Sequence, residues 1–81
     1  MPKFRTKPVI VEAVQYNGKN LNEIRSFLGY YAKIDDKRRI QIKTFGGVIY
    51  AKETDWIIRG MVNEFYTRDA EVFAQYCEAV E

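Results

Sequence analysis

The sequence predicts an α+β domain: a strongly twisted antiparallel sheet, or a small barrel, of about five to seven strands with two short helices. Three observations predict it. Runs rich in β-branched and aromatic residues recur between glycine-bearing turns. Two other stretches carry apolar residues at helical spacing. Their order, strand, helix, several strands, helix, belongs to hairpins with helices set against them rather than to alternating βαβ units.

Pro8 precedes Val9 to Tyr16, a run rich in valine that closes at the turn dipeptide Asn17-Gly18; this predicts the first strand. Asn20 stands where a helix would be capped, with Glu23 three positions on in a capping-box arrangement. Leu21, Ile24, Phe27 and Leu28 then recur at helical spacing, and Gly29 suits a left-handed C-cap. Tyr30 to Ile34 and Arg39 to Lys43 read as two strands around the charged turn Asp35-Asp36-Lys37-Arg38. In the second, Ile40 and Ile42 face inward and Arg39, Gln41 and Lys43 outward. Gly46-Gly47 predicts a hairpin to Val48–Ala51. A strand around Trp56 follows, then a turn over Gly60 to Asn63 and a strand from Glu64 to Thr67. Asp69 is placed to cap a second helix with the apolar face Val72, Phe73 and Tyr76, and Cys77 to Glu81 reads as a last short strand.

With 81 residues the chain reads as a single domain, 1–81, whose core is only just large enough to stand alone. Its hydrophobic fraction of 47% and aromatic fraction of 15% are those of a folded globule. Six tyrosines and five phenylalanines cannot all be buried in so small a body, so some are expected in a pocket or a subunit interface, and a homo-oligomer is expected. A net charge of +2 is too mild to mark a nucleic-acid binder. The lone Cys77 excludes an internal disulfide and fits a reducing cytoplasm. No apolar run reaches membrane-spanning length and no signal-peptide core opens the chain, so no membrane partner is expected.

The chemistry points to binding rather than catalysis. The chain has no histidine, which removes the commonest acid–base group and metal ligand, and the cysteine has no base partner in sequence. No glycine-rich phosphate loop is present. Neither catalytic residues nor a metal or cofactor are expected. The candidate ligand-binding set is Arg5, Lys7, Gln15, Tyr16, Trp56, Arg59, Glu64 and Tyr66. Trp56, Tyr66 and Tyr16 offer stacking surfaces, and Arg59, Arg5 and Lys7 offer charge to phosphate. Gln15 and Glu64 would take polar edges. The same residues also read as fold: Trp56, Ile58 and Phe65 as core, and Arg59 with Glu64 as a cross-strand ion pair.

Several segments together resemble a family of small proteins encoded by bacteriophages and prophages. They are Phe4 to Val9 with Val11 to Tyr16, Asn20-Leu21, Phe27-Leu28-Gly29, Asp55-Trp56-Ile57-Ile58-Arg59-Gly60, Glu64-Phe65-Tyr66, and a closing helix bearing Phe73. The chain departs from the pattern at Thr54, where glycine is usual, and at Thr67-Arg68-Asp69-Ala70, which replaces a proline-bearing segment. The resemblance implies a phage accessory protein in the cytoplasm of an infected bacterial host. For such a protein the leading expectation is an anti-defence sponge. It would sequester, without turnover, a nucleotide-derived immune signal of cyclic dinucleotide or ADP-ribose type. An inhibitor of a host defence protein is the second expectation and a nucleic-acid-binding accessory protein the third.

Overall fold

A computed structural model describes residues 2–3, 10–37, 39–60 and 64–78. Among them are six strands and two α-helices: β1 (Glu12–Gln15), α1 (Leu21–Leu28), β2 (Ala32–Ile34), β3 (Ile40–Thr44), β4 (Gly47–Ala51), β5 (Trp56–Arg59), β6 (Phe65–Arg68) and α2 (Ala70–Tyr76). The fold is α+β, with two antiparallel sheets in the orders β1-β5-β6 and β2-β3-β4. Neither sheet closes, so the small barrel is not formed. Three strands apiece, each three to five residues long, fall short of a closed wall. They bury their inner faces against a shared core instead. No helix among the described residues is long and apolar enough to cross a membrane.

Register decides which side chains share a face, because directly paired residues of antiparallel strands point the same way. In the first sheet the rows Glu12–Arg59–Phe65 and Val14–Ile57–Thr67 lie on the core side. The rows Ala13–Ile58–Tyr66 and Gln15–Trp56–Arg68 lie on the other. In the second sheet Ile34–Ile40–Ala51 and Ala32–Ile42–Ile49 turn inward, leaving Lys33–Gln41–Tyr50 and Lys43–Val48 outside. Ile24 and Leu28 of α1 complete the core with Tyr16, Ile57 and Phe65.

Helix α1 begins and ends where its pattern places it, but Asn20 acts differently from a capping box. Its side-chain oxygen accepts from the Asn17 N–H at 2.9 Å, while its amide donates to the Gln15 carbonyl at 2.8 Å and to Glu23 Oε1 at 2.6 Å. Asn20 thus ties β1 to the helix start rather than serving a helical N–H. Gly29 follows with φ +56°. A 3₁₀ turn, Gly29–Tyr31, replaces the first residues of the expected strand, so β2 begins only at Ala32. The β3–β4 hairpin turns at Phe45-Gly46, one residue earlier than expected, and Gly47 begins the next strand with φ +120°.

Asp69 caps α2 by accepting from the Glu71 N–H at 2.9 Å. Of the expected apolar face only Phe73 packs; Val72 and Tyr76 are exposed. With one residue between β6 and α2, this short helix leaves from the end of its strand and meets the sheet through a single ring. Cys77 and Glu78 form no strand, and residues 79–81 lie outside the described residues, as do Val9, Arg38 and residues 61–63.

The turn before β5 holds backbone strain. Thr54 sits at φ +79°, a region that costs a β-branched residue roughly 1–2 kcal/mol. It is held there because its N–H donates to the Tyr16 carbonyl at 2.7 Å and its carbonyl accepts from Gln15 Nε2 at 3.1 Å. The buried Asp55 fixes the same turn through Lys52, whose N–H donates to Asp55 Oδ2 at 3.2 Å. Thr54→Gly is therefore expected to stabilise the protein by about 1 kcal/mol, a rise in Tm of roughly 4–8 °C by calorimetry. An unchanged or lower Tm would show that the strain is relieved elsewhere.

The charged β2–β3 turn gives a pH-dependent prediction. The backbone N–H of Arg39 holds the Asp35 carboxyl below its ordinary value of 3.8, helped by the Arg39 side chain and the Lys37 N–H. A depressed carboxylate contributes stability above its unfolded pKa and loses it as pH falls through the lower folded value. The Tm difference between the native protein and Asp35→Asn should thus be constant near neutrality and shrink below about pH 3.8. Melts recorded across that window test it.

Candidate ligand cleft

The structure distributes the expected binding residues over separate surfaces. Tyr16 is 4% exposed and packs in the core, so its ring is not a stacking surface. Trp56 and Tyr66 share the face of the first sheet that α2 partly covers. There the Trp56 indole stacks on Phe73 at 4.1 Å and 7°, and the Arg68 guanidinium lies 4.9 Å from the Tyr66 ring centre. Gln15 joins that row, with its amide bonded to the Thr54 carbonyl.

Arg59 points to the opposite face. Its guanidinium meets Glu12 at 2.6 Å and lies 5.1 Å above the Phe27 ring, so its ion-pair partner is Glu12 and not Glu64. The reason is register: Glu12 and Arg59 are direct cross-strand neighbours, whereas Glu64 lies just beyond the end of β6. Trp56, Tyr66 and Gln15 are therefore brought together, and Arg59 is kept from them by the thickness of the sheet. Arg5 and Lys7 lie outside the described residues.

Glu64 stands apart from both groups and lines a cleft. Its carbonyl accepts the Gly60 N–H at 2.7 Å, closing the β5–β6 hairpin. Its side chain lies back over Gly60, where a Cβ would come within 3.0 Å of Glu64 Cγ. Glu64 lines a compartment of about 230 Å³ together with Tyr30, Tyr31, Lys43, Thr44, Phe45 and Phe65. A second compartment of about 310 Å³ adjoins it, sharing Tyr30, Tyr31 and Lys43 and adding Lys33, Gln41 and Val48 from the outer face of the second sheet.

The local chain explains why aromatic rings are at this surface. In a strand, Tyr30 and Tyr31 would point to opposite faces. The 3₁₀ turn instead sets both at the surface, in edge-to-face contact at 5.7 Å and 84°. Phe45 occupies a two-residue hairpin turn, where no core is within reach, and is 91% exposed. Below them Phe65 contacts Tyr31 at 5.6 Å and Phe27 at 5.8 Å, so the cleft stands on a continuous aromatic string rooted in the core.

Charge in the cleft is uncommitted. Lys33, Lys43 and Glu64 have no ion-pair partner among the described residues, unlike Arg39 with Asp35 and Arg59 with Glu12. Gln41 is half engaged, its amide donating to the Tyr50 hydroxyl at 3.1 Å. Among the described residues no group of histidine, cysteine and carboxylate side chains is arranged to hold a metal. Flat rings beside two free ammonium groups and a free carboxylate can hold a planar, anionic molecule and read its polar edge.

Sequence reasoning did not single out Tyr30, Tyr31, Phe45, Lys33 and Lys43, which line the cleft. Phe45 gave no signal of its exposure, because the sequence puts the turn at Gly46-Gly47 and the hairpin turns one residue earlier. No family model matches the chain, and no curated protein or solved structure matches it either.

Proposed function

We propose that this protein binds a small nucleotide-type ligand in the Tyr30–Phe45 cleft and holds it without turnover. The observation that carries the reading is the cleft itself: three aromatic rings, Tyr30, Tyr31 and Phe45, beside unpaired Lys43. Stacking of a base on an aromatic ring contributes about 1–3 kcal/mol in nucleic-acid systems. Two adjoining ammonium groups supply the charge that phosphate requires. Binding without chemistry accords with a chain that has no histidine and a single cysteine. The resemblance to small phage proteins implies an accessory role, and for an accessory protein that counters host immunity the ligand would be a nucleotide immune signal, a cyclic dinucleotide or an ADP-ribose type. The protein would then act as an anti-defence sponge in the cytoplasm of the infected host.

A thermal melt against cyclic dinucleotides, cyclic ADP-ribose isomers and ordinary nucleotides tests this. At about 100 times its dissociation constant a ligand adds about 2.7 kcal/mol, several degrees or more for a domain of this size. One compound should shift Tm selectively. Lys43→Ala and Tyr30→Ala should each remove most of the shift, while Trp56→Phe keeps it. A shift that survives both cleft variants but not Trp56→Phe would move the site to the opposite sheet. A flat panel would overturn the nucleotide reading for the compounds used.

A second reading has its own observation. Phe45 and Tyr30, 91% and 86% exposed, are the kind of rings that anchor protein interfaces. They favour an inhibitor of a host defence protein, or a homo-oligomer built on this face, if the nucleotide panel is flat.

A further inference from the structure

We infer that the cleft reads guanine, with Glu64 as the specificity-determining residue; this rests on the nucleotide reading of the cleft and narrows it to a guanine-bearing cyclic dinucleotide, against the adenine-bearing ADP-ribose type. The two compartments differ in chemistry. One holds Lys33, Lys43 and the Gln41 amide on the outer sheet face. The other is lined by Phe45, Phe65 and Glu64, and the two meet at Tyr30, Tyr31 and Lys43. A nucleotide has the same division. Its phosphate goes to the lysines, and its base goes between the rings with one edge toward Glu64.

A carboxylate only accepts hydrogen bonds, and its two oxygens suit a pair of parallel donors. Guanine presents such a pair, N1–H beside the N2 amino group. Adenine and cytosine each set one amino donor beside a ring-nitrogen acceptor, and uracil sets one N–H between two carbonyls. In each of those three an acceptor lone pair would face an anionic oxygen. A site that hydrogen-bonds one edge rejects analogues that lack it, because its own polar groups are then left unpaired or opposed.

Two features fit Glu64 for the role. Its carboxylate has no partner among the described residues, so a ligand does not have to displace one. Its backbone is held by the Gly60 N–H, which donates to its carbonyl, and its side chain lies against the bare Gly60 backbone.

The test is calorimetric titration of the full chain with GMP, AMP, CMP and UMP and their 2′-deoxy forms, repeated with Glu64→Gln and Lys43→Ala. GMP should bind at least about tenfold more tightly than the other three, a preference of about 1.4 kcal/mol. Glu64→Gln replaces two acceptors with an acceptor and a donor, a pair that suits adenine. It should bring AMP level with GMP or ahead of it. Lys43→Ala should weaken all four nucleotides alike and leave their ranking intact.

Equal binding of all four by the native protein would overturn the guanine assignment and leave the nucleotide reading standing. So would a GMP preference that Glu64→Gln leaves unchanged. A preference for all four ribonucleotides over their 2′-deoxy forms, abolished by Glu64→Gln, would assign Glu64 to the ribose and overturn its role at the base. No heat with any of the four would overturn the guanine assignment, and the melts against cyclic dinucleotides would then decide the nucleotide reading by themselves.

Discussion

Phe65 is the residue on which the arrangement of this protein depends. It opens β6, is buried, and touches Phe27 of α1 and Tyr31 of the 3₁₀ turn. Two three-stranded sheets with strands this short cannot each support a core. They must share one, and Phe65 is a large apolar contribution to it from the first sheet. Loss of a buried phenylalanine side chain typically costs about 3–5 kcal/mol, a large part of what a domain of this size has to spare. The same ring forms part of the cleft wall beneath Tyr31. Core and cleft are thus one aromatic assembly, and the stiffness of the first is passed to the second.

A second constraint lies at the other end of the first sheet, where residues 52–55 bring the chain back to β5. Three groups converge there. Tyr16 binds through both its N–H and its carbonyl, Gln15 through its amide, and Asp55 through its carboxylate to Lys52. Together they hold Thr54 in a conformation that threonine disfavours. The strain sits at the opposite end of β5 from the turn that carries Glu64, and its cause is register. β1 and β5 pair with Gln15 opposite Trp56, and the next residues must satisfy Tyr16. A glycine at position 54 would meet the same bonds without strain.

Much of the fold was legible in the sequence because its signals were local. The spacing of Leu21, Ile24, Phe27 and Leu28 located α1, the alternation of Ile40 and Ile42 oriented β3, and Asp69 marked the start of α2. Long-range facts were not legible. Nothing local says that Arg59 faces Glu12 rather than Glu64, because that follows from β1 pairing with β5 across the chain. The capping pattern at Asn20 was present in letters, yet its side-chain oxygen, the atom that would cap, accepts from the Asn17 N–H three residues earlier. The tyrosine pair was read as strand because β propensity favours it there, and Gly29 let the chain coil once more instead. That single 3₁₀ turn places both rings at the surface.

The division between engaged and unengaged groups separates the two surfaces that could hold a ligand. On the Trp56 face the chemistry is already internally matched: indole on Phe73, guanidinium on Tyr66, Gln15 on backbone. A ligand there would have to displace each of these, and the cost of breaking them would offset what it gained. In the cleft the rings of Tyr30 and Phe45 are open to water and Lys33, Lys43 and Glu64 are unpaired among the described residues. A planar anion binding there removes apolar surface from water without first breaking an ion pair. Affinity is the surplus over what binding must disrupt. The tryptophan segment, which looks the most specialised in the sequence, is thus engaged within the fold, and the plainer residues of a turn and a hairpin carry the unengaged groups.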